Sequence, residues 1–383
     1  MDKKLKLGVI GGGLNSAIGQ THFIASRMDF SAEIVSGFFS KNETNNRSTG
    51  SKFGIGADRQ YKSLENFISG EKDLIDLVLV LTPTVSHHKD LKELLSAGFN
   101  VVCEKSLVLN TDEAKDIQKI LLKNKNFLSV IHNYTGYPMI REMREVVSSG
   151  DLGEVISFSI NMPQQAYVRV DETGAVSSPQ SWRLQDDSNI PHVSLDLGIH
   201  VMNLLNFIFN VKVKYVVAQQ NSYGKFKGVI DYVQAMICLD NNAMGSISYG
   251  KAFLGQDNGL EIKVFGTKGS VSWKQKDSEY LGFCNEQGRK SLLTFSSPGL
   301  KEASAKRYHR FKPGHPTGFL EAFSNHYQDI FKAFLKKPVV DKFVFNLDDA
   351  IRDLHLLELI TKSSLKKEFL FNTTLEDIRK NAS

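Results

Sequence analysis

The sequence predicts an α/β protein in two parts: a doubly wound parallel sheet at the N-terminus, followed by an α+β domain built on a large, mostly antiparallel open sheet. Three observations carry this expectation. Short apolar runs alternate with helix-spaced segments over the first third of the chain, a glycine cluster follows the first of those runs, and beyond about residue 130 the runs lengthen and alternate.

Lys6 to Ile10, Glu33 to Phe39, Ile75 to Leu81, Asn100 to Cys103 and Phe127 to His132 read as strands. Strands that are apolar throughout are covered on both faces, as in a parallel sheet. Between them, Ser63 to Ser69, His87 to Ala97 and Thr111 to Asn124 place apolar residues at helical spacing, the last capped by Asn110 or Thr111. Lys41 to Gly56 is polar enough to read as a mobile loop.

A domain boundary is expected between Asn126 and Pro138, which divides the chain into 1–130 and 131–383. The second part carries alternating strands at Val155 to Asn161, Val211 to Gln220, Val229 to Leu239, Ala243 to Lys251, Leu260 to Phe265 and Ser270 to Lys274. Helices are expected at Ser194 to Phe209 and Gly318 to Leu335. A last one, Leu347 to Ser363, is free to pack back on the first domain.

Composition excludes several classes. With 383 residues the chain has room for two or three domains of about 100 to 200 residues each. Its 41% hydrophobic and 23% charged residues are those of a globular protein, not of a disordered or collagenous one. The net charge of +5 is spread along the chain, and nucleic acid is not expected without a clustered basic footprint. Cys103, Cys238 and Cys284 form neither a disulfide framework nor a zinc spacing, which points to the cytoplasm and to no metal. The opening MDKKLKLGVIGGG lacks the cleavage site of a signal peptide. Leu74 to Leu81 is far shorter than the roughly 20 residues of a membrane span, so no membrane is expected.

The first strand runs into Gly8-Val9-Ile10-Gly11-Gly12-Gly13 and then, through Leu14 to Ile18, into Gly19, where a helix begins. Glycines there allow a tight turn and close main-chain approach to a pyrophosphate, although the spacing is longer than GxGxxG. Gly11, Gly13, Leu14, Ile18 and Gly19 are therefore candidate cofactor contacts. Strand two ends Gly37-Phe38-Phe39-Ser40-Lys41, with no acid to hold a ribose diol. Ser40 and Lys41 suit the 2′-phosphate of NADP, and Ser40 alone suits the 2′-hydroxyl of NAD, so the cofactor is NAD or NADP.

Two further features carry chemistry. Glu104-Lys105 follows the strand that ends at Cys103, where a lysine is placed to stabilise the alkoxide that develops as hydride leaves. Asp196 and His200 stand four apart at the start of an apolar helix and so share a face. Such a histidine suits removal of a hydroxyl proton, with the carboxylate orienting it.

The glycine turn, Glu104-Lys105 and Asp196-x-x-x-His200 occur in the order found in the Gfo/Idh/MocA family, which the chain resembles over nearly its whole length. Gly19-Gln20-Thr21-His22, His132-Asn133-Tyr134-Thr135-Gly136-Tyr137-Pro138 and Gly314 to Phe323 are similar to the branch that holds levoglucosan-type and inositol-type sugar dehydrogenases. The resemblance implies a Rossmann domain and an α/β domain whose open sheet often mediates oligomers, here a dimer or tetramer, with sugar bound between them. It implies Lys105 as catalytic lysine, His200 as acid/base and Asp196 as its partner. It also implies cofactor contacts from Ser40, Thr82, Pro83, His87 and Glu104, and a sugar pocket lined by Tyr134, Tyr137, Trp182 and Arg183.

Two positions depart from the family pattern. Ser106 stands where proline commonly follows the lysine, and Ile190-Pro191-His192-Val193 replaces a glycine-rich stretch, where the added His192 is expected either to narrow the pocket or to contact the substrate. The expected function is an NAD(P)-dependent dehydrogenase acting on a secondary hydroxyl of a sugar, anhydrosugar or inositol. The alternatives are a glycosidase that oxidises its substrate transiently, and a sugar-sensing protein without catalysis.

Overall fold

In the computed structural model, which describes residues 4–184, 189–338 and 341–372, five strands form a parallel sheet. They are β1 (Leu5–Gly11), β2 (Ala32–Phe38), β3 (Leu77–Leu81), β4 (Val101–Glu104) and β5 (Leu128–Ile131), in the spatial order β2-β1-β3-β4-β5. Every residue of β3 and β4 is buried, as expected of strands covered on both sides. Helices α1 (Gly19–Ala25), α2 (Glu43–Lys52), α3 (Leu64–Glu71), α4 (Thr84–Ser96) and α5 (Thr111–Asn124) connect them. The expected opening segment is described only from Lys4 on, so its first three residues lie outside the described ones.

The chain divides into two units, 1–136 with 318–351, and 137–317 with 352–383. This differs from a single cut at residue 130, because helix α8 (Phe319–Phe334) belongs to the first unit. Phe323, Tyr327, Ile330 and Phe331 of α8 join Leu7, Val9, Phe23, Leu79, Leu81 and Val102 in one core cluster. About 1.5–3 kcal/mol per fully buried apolar side chain makes that helix a substantial part of the unit's stability.

Helix α2 corrects the expectation of a mobile loop over Lys41 to Gly56. Asn42 caps it by accepting from the Asn45 N–H at 2.9 Å. Its buried residues are Asn46, Thr49 and Gly50, so no apolar period marks it in the sequence. Asn46 is 3% exposed. Its Oδ1 accepts from the N–H groups of Phe39 at 2.7 Å and Ser40 at 3.2 Å, and its Nδ2 donates to the Tyr61 carbonyl at 2.9 Å.

In the second unit nine strands form one sheet: β6 (Val155–Pro163), β7 (Val213–Asn221), β8 (Tyr232–Leu239), β9 (Met244–Gly250), β10 (Glu261–Gly266), β11 (Gly269–Lys274), β12 (Leu281–Asn285), β13 (Lys290–Leu293) and β14 (Leu370–Phe371). The order is β13-β12-β11-β10-β6-β9-β8-β7-β14, and among the described residues β6 and β9 are its parallel neighbours while the other pairs run antiparallel. Helix α7 (Ile199–Phe209) packs on β6, with the Phe158 and Phe209 rings 4.5 Å apart.

Helix α6 (Pro138–Ser148) was not among the expected helices; it buries Met139, Ile140, Met143 and Val146 at helical spacing, and Arg141 and Glu142 with them. Glu142 accepts main-chain N–H bonds from Lys301, Glu302 and Ala303 at 2.8–2.9 Å. Helix α9 (Leu347–Lys366) extends three residues past the expected end. From Asp353 on it ties to the second unit: Asn206 Nδ2 donates to Asp353 at 2.5 Å, and the Ala218 N–H to Ser363 Oγ at 3.1 Å.

Replacing Asn46 by Ala leaves two main-chain N–H groups and a carbonyl without their partner. The variant is expected to lose about 2–3 kcal/mol, measured by denaturant unfolding. An unchanged midpoint would mean that α2 is not part of the cooperative core.

Candidate functional site

In the first unit the site grows from the carboxyl end of β1. Gly11 has φ +83°, and a Cβ there would lie 2.6 Å from the Thr82 main-chain nitrogen. A Cβ on Gly19 would lie 2.2 Å from the Gly12 carbonyl oxygen. Only glycine permits these approaches. The inserted residues after Gly13 form a turn held by Ser16, whose Oγ accepts from the N–H groups of Ile18 at 3.4 Å and Gly19 at 3.1 Å. Leu14 is anchored to α2, its N–H donating to Thr49 Oγ1 at 3.1 Å. The result is a glycine-lined cradle at the edge where β1 is flanked by β2 and β3, a topological switch point, and it fits a dinucleotide pyrophosphate.

At the end of β2, Ser40 Oγ accepts from the Asn42 N–H at 3.1 Å, and Lys41 is exposed. At the end of β3, Thr82 Oγ1 donates to Asp90 Oδ2 at 2.7 Å. Burial pushes the Asp90 carboxyl above its usual range, against the Thr82 hydrogen bond and the neighbouring cations, Lys41 among them, that pull it down. His87 is buried with its ring nitrogens against two carbonyls, Nδ1 2.8 Å from Ser106 O and Nε2 2.7 Å from Thr82 O. It therefore braces the Thr82-Pro83 loop against the segment that follows Lys105.

Glu104 closes β4 and is 8% exposed. Its Oε1 lies 3.1 Å from His22 Nε2, and His22 Nδ1 lies 2.7 Å from the Tyr327 hydroxyl. His22 is fully buried on α1, and burial pushes the Tyr327 phenol well up, so it stays protonated. Of this Tyr327–His22–Glu104 chain, Glu104 was among the expected site residues and His22 and Tyr327 were not. The signal for it is a histidine three residues after Gly19 on the first helix. Lys105 follows, half-buried, with a cis peptide to Ser106. Cys103, just before, is no nucleophile, because burial raises its thiol well above the usual range.

In the second unit, Ser194–Gly198 winds as a π-helical turn that feeds α7. Such turns are rare and concentrate at functional sites. Asp196 stands in that turn, and His200, 7% exposed, follows as the second residue of α7. Asp196 Oδ2 accepts from Arg183 Nη1 at 3.1 Å and from Lys251 Nζ at 2.6 Å. Trp182 and Arg183 sit on a 3₁₀ turn, Ser181–Leu184. The Arg183 guanidinium stacks 4.6 Å above the Trp182 ring, and Trp182 meets His192 edge-on at 5.0 Å. Trp182, Arg183, His192 and Asp196 are thus brought together. Lys251 was missed, since a lone lysine after a strand carries no pattern. Tyr134 and Tyr137 are 5% and 3% exposed, and Tyr137 packs on Trp273 at 5.3 Å.

Among the described residues no group of three or more His, Cys, Asp or Glu side chains is placed to hold a metal ion, and no helix is long and apolar enough to cross a membrane.

Comparison with known proteins adds the following. The profile of the oxidoreductase family with an NAD-binding Rossmann fold matches residues 5–132, and that of the GFO/IDH/MocA C-terminal domain matches 140–272. An uncharacterised oxidoreductase of Bacillus subtilis is 24% identical over 377 residues, 95% of each chain. An inositol dehydrogenase homologue of Azotobacter vinelandii, solved with NADH and myo-inositol, superimposes with a TM-score of 0.87 at 23% identity, covering 97% of this chain and 98% of its own. A levoglucosan dehydrogenase solved with NADH and levoglucosan gives a TM-score of 0.82 at 21% identity, covering 97% and 100%. A levoglucosan dehydrogenase from Pseudarthrobacter phenanthrenivorans is 23% identical over 253 residues, 58% of this chain and 63% of that protein.

The raised carboxyl of Asp90 has a consequence for stability. Because folding disfavours its ionisation, its contribution is full below about pH 4 and falls as pH rises through the folded value. Asp90→Asn keeps an acceptor for Thr82 and cannot ionise. It is expected to melt at a higher temperature than the parent at pH 7, with the difference closing towards about pH 4; a lower melting temperature at pH 7 would reverse the assignment.

Proposed function

We propose that this chain, which belongs to the GFO/IDH/MocA family of oxidoreductases, moves hydride between a secondary hydroxyl of a sugar, anhydrosugar or inositol and a nicotinamide dinucleotide, NAD or NADP. The observation that carries the reading is Asp196 in a π-helical turn, held by Arg183 and Lys251, four residues before His200 at the start of α7. A helix keeps so unusual a turn, and a half-buried carboxylate its charge, where geometry matters more than stability.

The roles follow from residue chemistry. His200 accepts the proton of the substrate hydroxyl, a general-base role that suits an imidazole. Asp196, anchored by Lys251 and Arg183, orients that imidazole. Lys105 is suited to stabilise the negative charge that grows on an alkoxide oxygen as hydride leaves. The dinucleotide, when bound in the glycine cradle, supplies the hydride acceptor. Tyr134, Tyr137, Trp182, Arg183 and His192 offer aromatic faces and hydrogen-bond donors of the kind that grip sugar rings and hydroxyls. The likeness to proteins solved with myo-inositol and with levoglucosan supports this substrate class.

The test is absorbance of reduced nicotinamide while the protein meets a panel that includes myo-inositol, levoglucosan and common aldoses, with NAD and NADP supplied separately. Turnover is expected with at least one pair. His200→Ala should then lower kcat/KM by about 10² to 10⁴ while NADH binding, followed by fluorescence, stays intact. Unchanged turnover in that variant would remove His200 from the reaction, and silence across the panel would remove the dehydrogenase reading.

A further inference from the structure

One side chain outside the family motif is built into the same site from a different element. Tyr249, near the end of β9, and Lys251, the first residue beyond it, stand two apart and so share one face of the extended chain. The Tyr249 hydroxyl lies 2.9 Å from Ser194 Oγ, and Lys251 Nζ donates to Asp196 Oδ2 at 2.6 Å. Tyr249 and Lys251 therefore meet two residues of the π-helical turn, Ser194 and Asp196. Gly198 makes room for this match, since a Cβ there would lie 2.6 Å from the Tyr249 ring. Burial raises the Tyr249 phenol, which keeps it a neutral hydrogen-bonding partner of Ser194.

Lys251 is fixed at both ends. Its main-chain N–H donates to the Asp231 carbonyl at 2.8 Å, and its carbonyl accepts from the Tyr167 N–H at 2.9 Å. Its ammonium lies 5.3 Å from the centroid of the Tyr167 ring, in cation–π range. The side chain is 8% exposed, against 25% for Arg183, the other cation on Asp196. An ammonium taken this far out of water needs a compensating charge, and Asp196 supplies it. Of the two cations, Lys251 is thus the rigid one, delivered from the end of a sheet strand, and Arg183 the more exposed one, delivered by a short turn.

We propose that Lys251 is a positioning residue: it holds the Asp196 carboxylate in one place and, through the π-helical turn, fixes the partner of His200. The inference rests on the dehydrogenase reading above and adds to it a residue that the Asp-x-x-x-His pattern does not contain. Without Lys251 the carboxylate loses the cation that the sheet holds in place, while Arg183 is carried by the 3₁₀ turn. A displacement of about 1 Å at such a site costs on the order of 100-fold in rate.

Lys251→Met keeps most of the stem and its apolar burial and removes the charge. The test is a cycle of the parent, Lys251→Met, Asp196→Asn and the double variant, read in kcat and KM with myo-inositol or levoglucosan and NAD or NADP, and in melting temperature. Lys251→Met is expected to lower kcat by about 10- to 100-fold with KM changed by less than about 3-fold, and to cost less than about 2-fold more once Asp196 is already Asn. Independent losses that multiply in the double variant would overturn the proposal. So would a raised KM with unchanged kcat, which makes Lys251 a substrate ligand instead. If the parent turns over none of the probes, the dehydrogenase reading fails on its own, and the melting temperatures still decide the tie: losses smaller in combination than in sum support it, and additive losses overturn it.

Discussion

The carboxyl edge of the first sheet depends on main chain meeting main chain with nothing between. At Gly11 the chain leaves β1 against the backbone of Thr82, and at Gly19 helix α1 starts against the Gly12 carbonyl. A methyl group at either point forces strand, turn and helix apart. That spacing is also what puts His22, one helical turn into α1, beside Glu104 at the end of β4. The cradle for a pyrophosphate and the setting of the residue that precedes Lys105 are therefore one construction.

The two units handle polar groups differently. In the first, the Tyr327–His22–Glu104 chain is nearly sealed from solvent, its phenol kept neutral by burial. Such a network is rigid when satisfied and costly when broken. In the second, Asp196 stands between two cations and retains some exposure. A partly buried ion cluster is weak evidence for stability, because desolvation offsets most of the attraction. What it supplies is direction: a carboxylate that has one oxygen held by a lysine at the end of a strand and a turn arginine does not wander.

Much of this was legible in the sequence where a single period governs burial. The strands of the first sheet stand out because both faces are covered, and the long helices because an apolar stripe repeats. The fold class and family followed from these and from three short motifs. Legibility failed where polar side chains do the packing. Helix α2 buries Asn46 and Thr49 and so carries no apolar period, whereas α6 carries one at Met139, Ile140, Met143 and Val146 and lies just beyond the expected domain boundary. β12 and β13 are short, with mostly half-buried or exposed residues, and β14 is two residues long. In the site, motif residues were found, but Lys251 and Tyr327 were not, since each acquires its role from a partner 55 or 305 residues away: Asp196 for the first and His22 for the second.

Helix α8 gives the chain an order of events during synthesis. Phe323, Tyr327, Ile330 and Phe331 belong to the core of the first unit, yet they follow the whole run 137–317. At about 5–20 residues per second, a ribosome delivers them roughly ten to forty seconds after Gly136. Until then the nascent sheet has an apolar surface without its cover, and His22 is without the hydroxyl it meets in the finished protein. The N-terminal unit thus waits for the middle of its own chain, and a fragment ending near residue 136 would stay in that waiting state.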